Sequence, residues 1–86
     1  MKAIKNPYAN IPGHFCFGCS PENVDGLNMR FFEEGEKVVS LWTPTPRFQG
    51  YPGVLHGGIQ ATLLDEIASW VVYVKLQTAG VTAAME

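Results

Sequence analysis

The segment Val54-Leu55-His56-Gly57-Gly58-Ile59 opens a long apolar run without a Ser, Thr, Asp or Asn at its head, so the first-turn N–H groups of a helix beginning there lack the usual side-chain acceptor. Two adjacent glycines let a carbonyl oxygen approach the backbone closely, and the positive end of the helix dipole favours negative charge developing at that point. That is how an oxyanion hole can be built from first-turn N–H groups. Paired glycines also serve as a plain loop-to-helix turn. Asp65 stands two turns further on among residues that are almost all apolar, and carboxylates rarely occupy such surroundings without a partner or a chemical role. It is a candidate general base or nucleophile, with Thr62 and Ser69 one turn to either side as possible hydrogen-bond donors. The other reading is a satisfied carboxylate that caps a neighbouring loop. Glu66, next on the same stripe, reads as an ion-pair or interface residue.

His14, Cys16 and Cys19 form a second cluster, and His56 would complete the count for a tetrahedral zinc. Structural zinc sites draw on two close ligand pairs, and here His56 stands alone, so no metal is expected. A redox Cys-x-x-Cys motif normally opens a helix after a strand, whereas Gly18 and Pro21 surround this one. The expectation is two cysteines packing a loop with Phe15 and Phe17.

The elements that must position these residues are legible in outline. Residues 1–26 form an N-terminal loop segment, dense in breakers from Asn6 to Gly26 (Pro7, Pro12, Gly13, Gly18, Pro21, Gly26). Tyr8, Phe15 and Phe17 suggest that it packs down on something. Residues 27–43 read as a β-hairpin: Leu27, Met29 and Phe31 alternate with Asn28 and Arg30, Glu33 to Glu36 supply a turn, and Lys37 to Thr43 is rich in β-branched and aromatic residues. Pro44 and Pro46 stop the second strand.

Residues 57–77 then read as one central helix. At 100° per position Ile59, Leu63, Ile67, Trp70, Val71 and Val74 share a face, and Ala61, Leu64, Ala68 and Val72 carry the apolar surface most of the way round. A narrow polar stripe of Thr62, Asp65, Glu66, Ser69 and Tyr73 remains. Such a helix should be largely buried. Gly80 should end it, and Val81 to Glu86 should begin another strand.

Composition bounds the rest. Leu, Ile, Val and Phe make up 23 of 86 residues, above the roughly 20% below which chains tend to stay unfolded. Six bases against eight acids, with no run of either sign, provide nothing to attract a polyanion, so nucleic acid is not an expected partner. Two cysteines and no apolar leader after Met1-Lys2 point to a cytoplasmic protein, and no apolar run approaches the roughly 20 residues that span a bilayer. A two-stranded hairpin beside one buried helix does not close a core, since three or more strands are normally needed. The chain therefore reads as a single partial domain over 1–86, completed by a second copy, a swapped segment or further strands.

His56-Gly57-Gly58 followed by Ala61-Thr62-Leu63-Leu64-Asp65-Glu66 resembles the helix motif of hotdog-fold acyl-coenzyme A thioesterases of the phenylacetic-acid-pathway type. Cys16-Phe17-Gly18-Cys19-Ser20-Pro21-Glu22-Asn23 with Gly26-Leu27 is similar to the N-terminal signature of one branch of that superfamily. The resemblance implies an α+β hotdog fold, a long central helix wrapped by an antiparallel sheet, here truncated after the helix, with a homodimer or tetramer placing active sites at subunit interfaces. It implies that Asp65 is the general base or nucleophile on the thioester, that the Gly57 N–H polarises the carbonyl, and that Gln49 orients the carbonyl or the water. His56, Gly58, Thr62 and Ser69 would bind or orient substrate.

The function this implies is hydrolysis of an acyl-CoA thioester to free acid and CoA, with no cofactor beyond the coenzyme A of the substrate. Two alternatives stand beside it: a catalytically incomplete half-domain that binds acyl-CoA or serves a structural role, and a hotdog hydratase or dehydratase using His56 with an acid.

Overall fold

A computed structural model describes residues 1–78 and 80–85. It is a small α+β structure with a three-stranded antiparallel sheet and one 20-residue helix. The chain divides into two compact units, Met1–Trp42 and Thr43–Glu86.

The first unit carries the sheet, ordered β1-β2-β3 with β1 at Lys2–Ala3, β2 at Phe32–Glu34 and β3 at Lys37–Val39. The expected hairpin is present but shorter than its 27–43 bounds. Its register pairs Phe32 with Val39 and Glu34 with Lys37, which leaves Gly35 and Glu36 as a two-residue turn. Gly35 has φ +60°, and such connections need a positive φ at their first position, which glycine adopts without strain. β1, inside a segment expected to be all loop, pairs Lys2 with Glu33 and Ala3 with Phe32.

Leu27, Met29 and Phe31 are buried while Asn28 and Arg30 are exposed, so the alternation marks an in-and-out pattern. It does not mark a strand. Asn28 has φ +49°, a left-handed conformation that breaks extended pairing. The N–H groups on either side of it bond instead to the N-terminal loop, Leu27 to the Phe17 carbonyl at 2.7 Å and Met29 to that of Gly18 at 2.8 Å. Where a longer hairpin would carry a ladder, side chains take over. Trp42 Nε1 donates to the Leu27 carbonyl at 2.9 Å and Ser40 Oγ to that of Arg30 at 2.7 Å.

The N-terminal loop is ordered by its own polar groups. Ser20 is fully buried; its hydroxyl donates to the His14 carbonyl at 3.1 Å and accepts the Glu22 N–H at 3.2 Å. Phe15 and Phe17, expected to pack inward, are exposed. Their carbonyls are engaged within the unit, accepting from Asn23 Nδ2 and the Leu27 N–H.

The second unit consists of a short 3₁₀ turn at Pro46–Phe48, a loop closed by a Gln49–Leu55 bridge, and the helix α1, Gly57–Leu76. The helix falls one residue short of its expected end. Gln77 takes the left-handed cap conformation at φ 56° and returns its N–H to the Tyr73 carbonyl at 2.8 Å, so Gly80 is not the terminator. Gly80 matters for a different reason. A Cβ there would stand 3.3 Å from a Val72 methyl, and its absence lets the returning chain lie against the helix.

The described residues 81–85 form no strand, and the expected strand's last residue, Glu86, lies outside the described residues. The helix is also less buried than expected. Trp70, in edge contact with Tyr73 at 5.3 Å between ring centres, is its buried residue, while Leu64, Val71 and Leu76 are exposed. An apolar surface running most of the way round is buried only where other layers cover all of it. Among the described residues no helix is long and apolar enough to cross a membrane.

Candidate functional site

The loop before α1 aims the helix start. Gly50 donates to the Val54 carbonyl at 2.9 Å, Val54 to that of Tyr51 at 2.8 Å, and His56 to that of Phe48 at 2.9 Å. These bonds hold residues 48–56 as a closed loop whose two ends lie side by side. A Cβ at Gly50 would fit tightly, 3.2 Å from the His56 Cα and 3.3 Å from its ring.

His56 itself caps the helix, its Nδ1 accepting the Gly58 N–H at 2.9 Å. The expectation of a helix start without a side-chain cap is thereby corrected. Histidine is outside the usual cap set, yet a neutral imidazole with its proton on Nε2 offers the acceptor lone pair the position needs. Gly58 is spent on this bond and is removed from the set of oxyanion donors. The Gly57 N–H has no partner among the described residues. It sits at the exposed positive end of a 20-residue helix, the place where partial positive charge is concentrated.

An open cleft of about 340 Å³ lies beside this corner, lined by Arg47, Phe48, Gln49, His56, Gly58, Ile59 and Thr62. Four of the expected site residues, Gln49, His56, Gly58 and Thr62, thus come together. Gln49 uses its side-chain oxygen inside the loop, accepting the Gly53 N–H at 3.1 Å, so its amide nitrogen is the group left to orient a ligand. Arg47 stacks on its neighbour Phe48, guanidinium carbon 4.9 Å from the ring centre.

Asp65 and Ser69 are not in the cleft. Asp65 lies eight helical steps from Gly57, about 12 Å along the axis. Neither expected partner reaches the carboxylate: the Thr62 hydroxyl bonds the Gly58 carbonyl one turn back at 2.9 Å, and the acceptor oxygen of Asp65 is engaged from elsewhere. The partner is Thr82, whose Oγ1 donates to Asp65 Oδ1. Gly80 lies beside Val72 and Thr82 beside Asp65. Val72 and Asp65 are seven residues apart on one stripe, so the chain after the helix returns antiparallel along it. Asp65 is half-buried, with one oxygen held by Thr82 and the other available. Nothing in the sequence marks Thr82, because it reaches Asp65 from a segment outside any regular element.

In the first unit the sulfur atoms of Cys16 and Cys19 lie within 4.8 Å of one another. His14 does not join them; its ring stacks obliquely on Tyr8 at 5.7 Å, with Nε2 buried and unpaired.

Comparison with protein-family models, with curated proteins and with solved structures yields no match to this chain.

Proposed function

We propose that this chain acts as a hotdog-type acyl-CoA thioesterase, hydrolysing a thioester to a carboxylic acid and CoA. The observation that carries the reading is the division of labour along α1: an unpartnered N–H at its exposed positive end, and two turns on a half-buried carboxylate fixed by a hydroxyl from the returning chain. The motif His56-Gly57-Gly58 with Asp65 supports the same assignment through its resemblance to that family.

In the mechanism, the thioester carbonyl accepts a hydrogen bond from the Gly57 N–H, and the charge that develops on its oxygen is stabilised there by the donor and the helix dipole. Asp65 either takes a proton from water as that water adds to the carbonyl carbon, or attacks the carbon directly. Collapse of the tetrahedral intermediate breaks the C–S bond and releases the CoA thiolate, which on the water route takes up the proton held by Asp65; on the direct route the acyl–Asp65 anhydride left behind is cleaved by water, which frees the acid, restores the carboxylate and supplies the thiolate's proton. Gln49 Nε2 and the His56 ring orient the acyl group in the cleft. A separation of about 12 Å is too great for Gly57 and Asp65 of one helix to serve the same carbonyl. The complete site therefore takes Gly57 from one copy and Asp65 from another, which makes a homodimer or larger assembly the catalytic unit.

The test is Asp65→Asn, assayed by CoA release over a panel of aliphatic and aryl acyl-CoAs. The expected outcome is a loss of roughly a hundredfold or more in turnover, with the helical circular dichroism and melting temperature unchanged. Unchanged turnover would overturn the assignment. Stabilisation by acyl-CoA with no hydrolysis in the wild-type protein would replace it with a binding role.

A further inference from the structure

The Cys16-Phe17-Gly18-Cys19 turn takes no part in the proposed site, yet it is densely hydrogen-bonded. All four of its carbonyls are engaged. Cys16 accepts the Ser20 N–H at 3.0 Å, Phe17 that of Leu27 at 2.7 Å, Gly18 that of Met29 at 2.8 Å, and Cys19 the Asn6 side-chain amide at 3.2 Å. The turn is therefore held in one shape from several directions, and that shape keeps the two sulfur atoms within 4.8 Å of each other. A disulfide requires about 2.05 Å between sulfurs, so the ring closes with an approach of under roughly 3 Å. The thiols also differ in access: Cys16 is half-buried, whereas Cys19 is 6% exposed.

We infer that Cys16 and Cys19 form a reversible dithiol–disulfide pair that reacts with low-molecular-weight disulfides of the glutathione class, Cys16 attacking and Cys19 resolving. In the first step the Cys16 thiolate attacks one sulfur of the small disulfide. That S–S bond breaks, one small thiolate departs, and a mixed disulfide remains on Cys16. In the second the Cys19 thiolate attacks the Cys16 sulfur, closes the protein disulfide and expels the second small thiolate. Two electrons pass from the protein dithiol to the small disulfide, and the two cysteine protons end on the two released thiols. Burial shields Cys19 from the external reagent, while its fixed position beside Cys16 gives it a high effective concentration for the second step. A four-residue turn already in place loses little further freedom on ring closure.

The experiment treats the folded wild-type protein with oxidised glutathione and follows intact mass and titratable thiols, with peptide mapping of the product. The expected result is a fall from two titratable thiols to none, a mass lower by about 2 Da, a Cys16–Cys19 linkage within one chain, and full reversal by a dithiol reductant. Cys19→Ser should stop at one glutathione on Cys16, and Cys16→Ser should react at least about tenfold more slowly than Cys19→Ser because the remaining thiol is buried. In concentrated urea, where the carbonyl network is gone, closure of the wild-type ring from its mixed disulfide should slow by about tenfold or more. A stable glutathione adduct on the wild-type protein, chains linked to one another, or two thiols that persist would each overturn the pair. Equal reactivity of the two single variants would overturn the assigned roles.

Discussion

The two units reach order by opposite routes. The first has three very short strands and long irregular connections, yet it buries Cys19, Leu27, Met29 and Phe31 and encloses Ser20 completely. The second is dominated by a 20-residue helix that is apolar over most of its circumference, and that helix buries Trp70 while leaving Leu64 66% exposed. Regular hydrogen bonding and burial are thus separable. In the first unit, side chains such as Ser20, Asn6, Asn23 and Trp42 satisfy backbone groups that a ladder would otherwise serve, which lets irregular chain pass through the interior without the desolvation penalty of unpaired polar groups. In the second, the helix satisfies its own backbone, so its side chains are free to face outward.

The sharpest way to break this contrast is at two glycines. Gly26 is buried, and a Cβ there would fall 2.5 Å from the Phe17 carbonyl oxygen, the acceptor for Leu27. Gly26→Ala must displace backbone and weaken that bond. The expected cost is about 3 kcal/mol, at the upper end for overpacking, read as a lower urea midpoint. Gly57 has nothing within 4 Å of its would-be Cβ, and Gly57→Ala should change stability by less than about 1 kcal/mol. Comparable costs at the two positions would mean that the first unit's loop network is no stiffer than the second unit's helix start.

How far the sequence carries this picture depends on the kind of signal. Helix α1 is legible to within a residue because its apolar positions recur at helical spacing over twenty residues without a breaker. Its terminating residue is not, since Gly80 is the better left-handed residue by type and Gln77 takes the role by being first in line. Burial of the helix is misread for a related reason: apolar residues nearly all round do not say which of them another layer will cover. The alternation over 27–31 reports sidedness, and Asn28 shows that sidedness does not require a strand. β1 leaves no trace in the sequence, because Lys2-Ala3 has no pattern of its own and is a strand only through its partners Phe32 and Glu33. At the candidate site, the grouping of Gln49, His56, Gly58 and Thr62 follows from their nearness in sequence to one corner. The bond from Thr82 to Asp65 depends on the path of an irregular segment, which no local pattern encodes.

An intermediate effect is expected where a side chain serves the backbone of the helical unit. His56→Ala removes the cap on Gly58 and should cost about 1 kcal/mol, measured as a lower melting temperature with reduced helical circular dichroism. His56→Asn should recover most of the loss, because asparagine is among the best acceptors for a first-turn N–H. Failure of asparagine to recover stability would show that the imidazole matters through its packing against Gly50, where it has no room to spare, and would move this corner closer in character to the first unit's loops.

The smallest effect should come from the exposed helix surface. Leu64→Gln changes a side chain that is 66% exposed for one of nearly equal helix propensity, so intrinsic helix preference drops out of the comparison. In a dilute monomer the change should stay within about 0.5 kcal/mol. The proposed catalytic unit of two or more copies would make the answer depend on concentration: apolar area covered by a second copy is lost from the interface on substitution, and the melting temperature of the wild type then rises with protein concentration while the variant's rises less. A substitution that costs more than about 1 kcal/mol at every concentration would instead place Leu64 against its own chain, and the contrast between an enclosed first unit and an outward-facing helix would fail at its most exposed point.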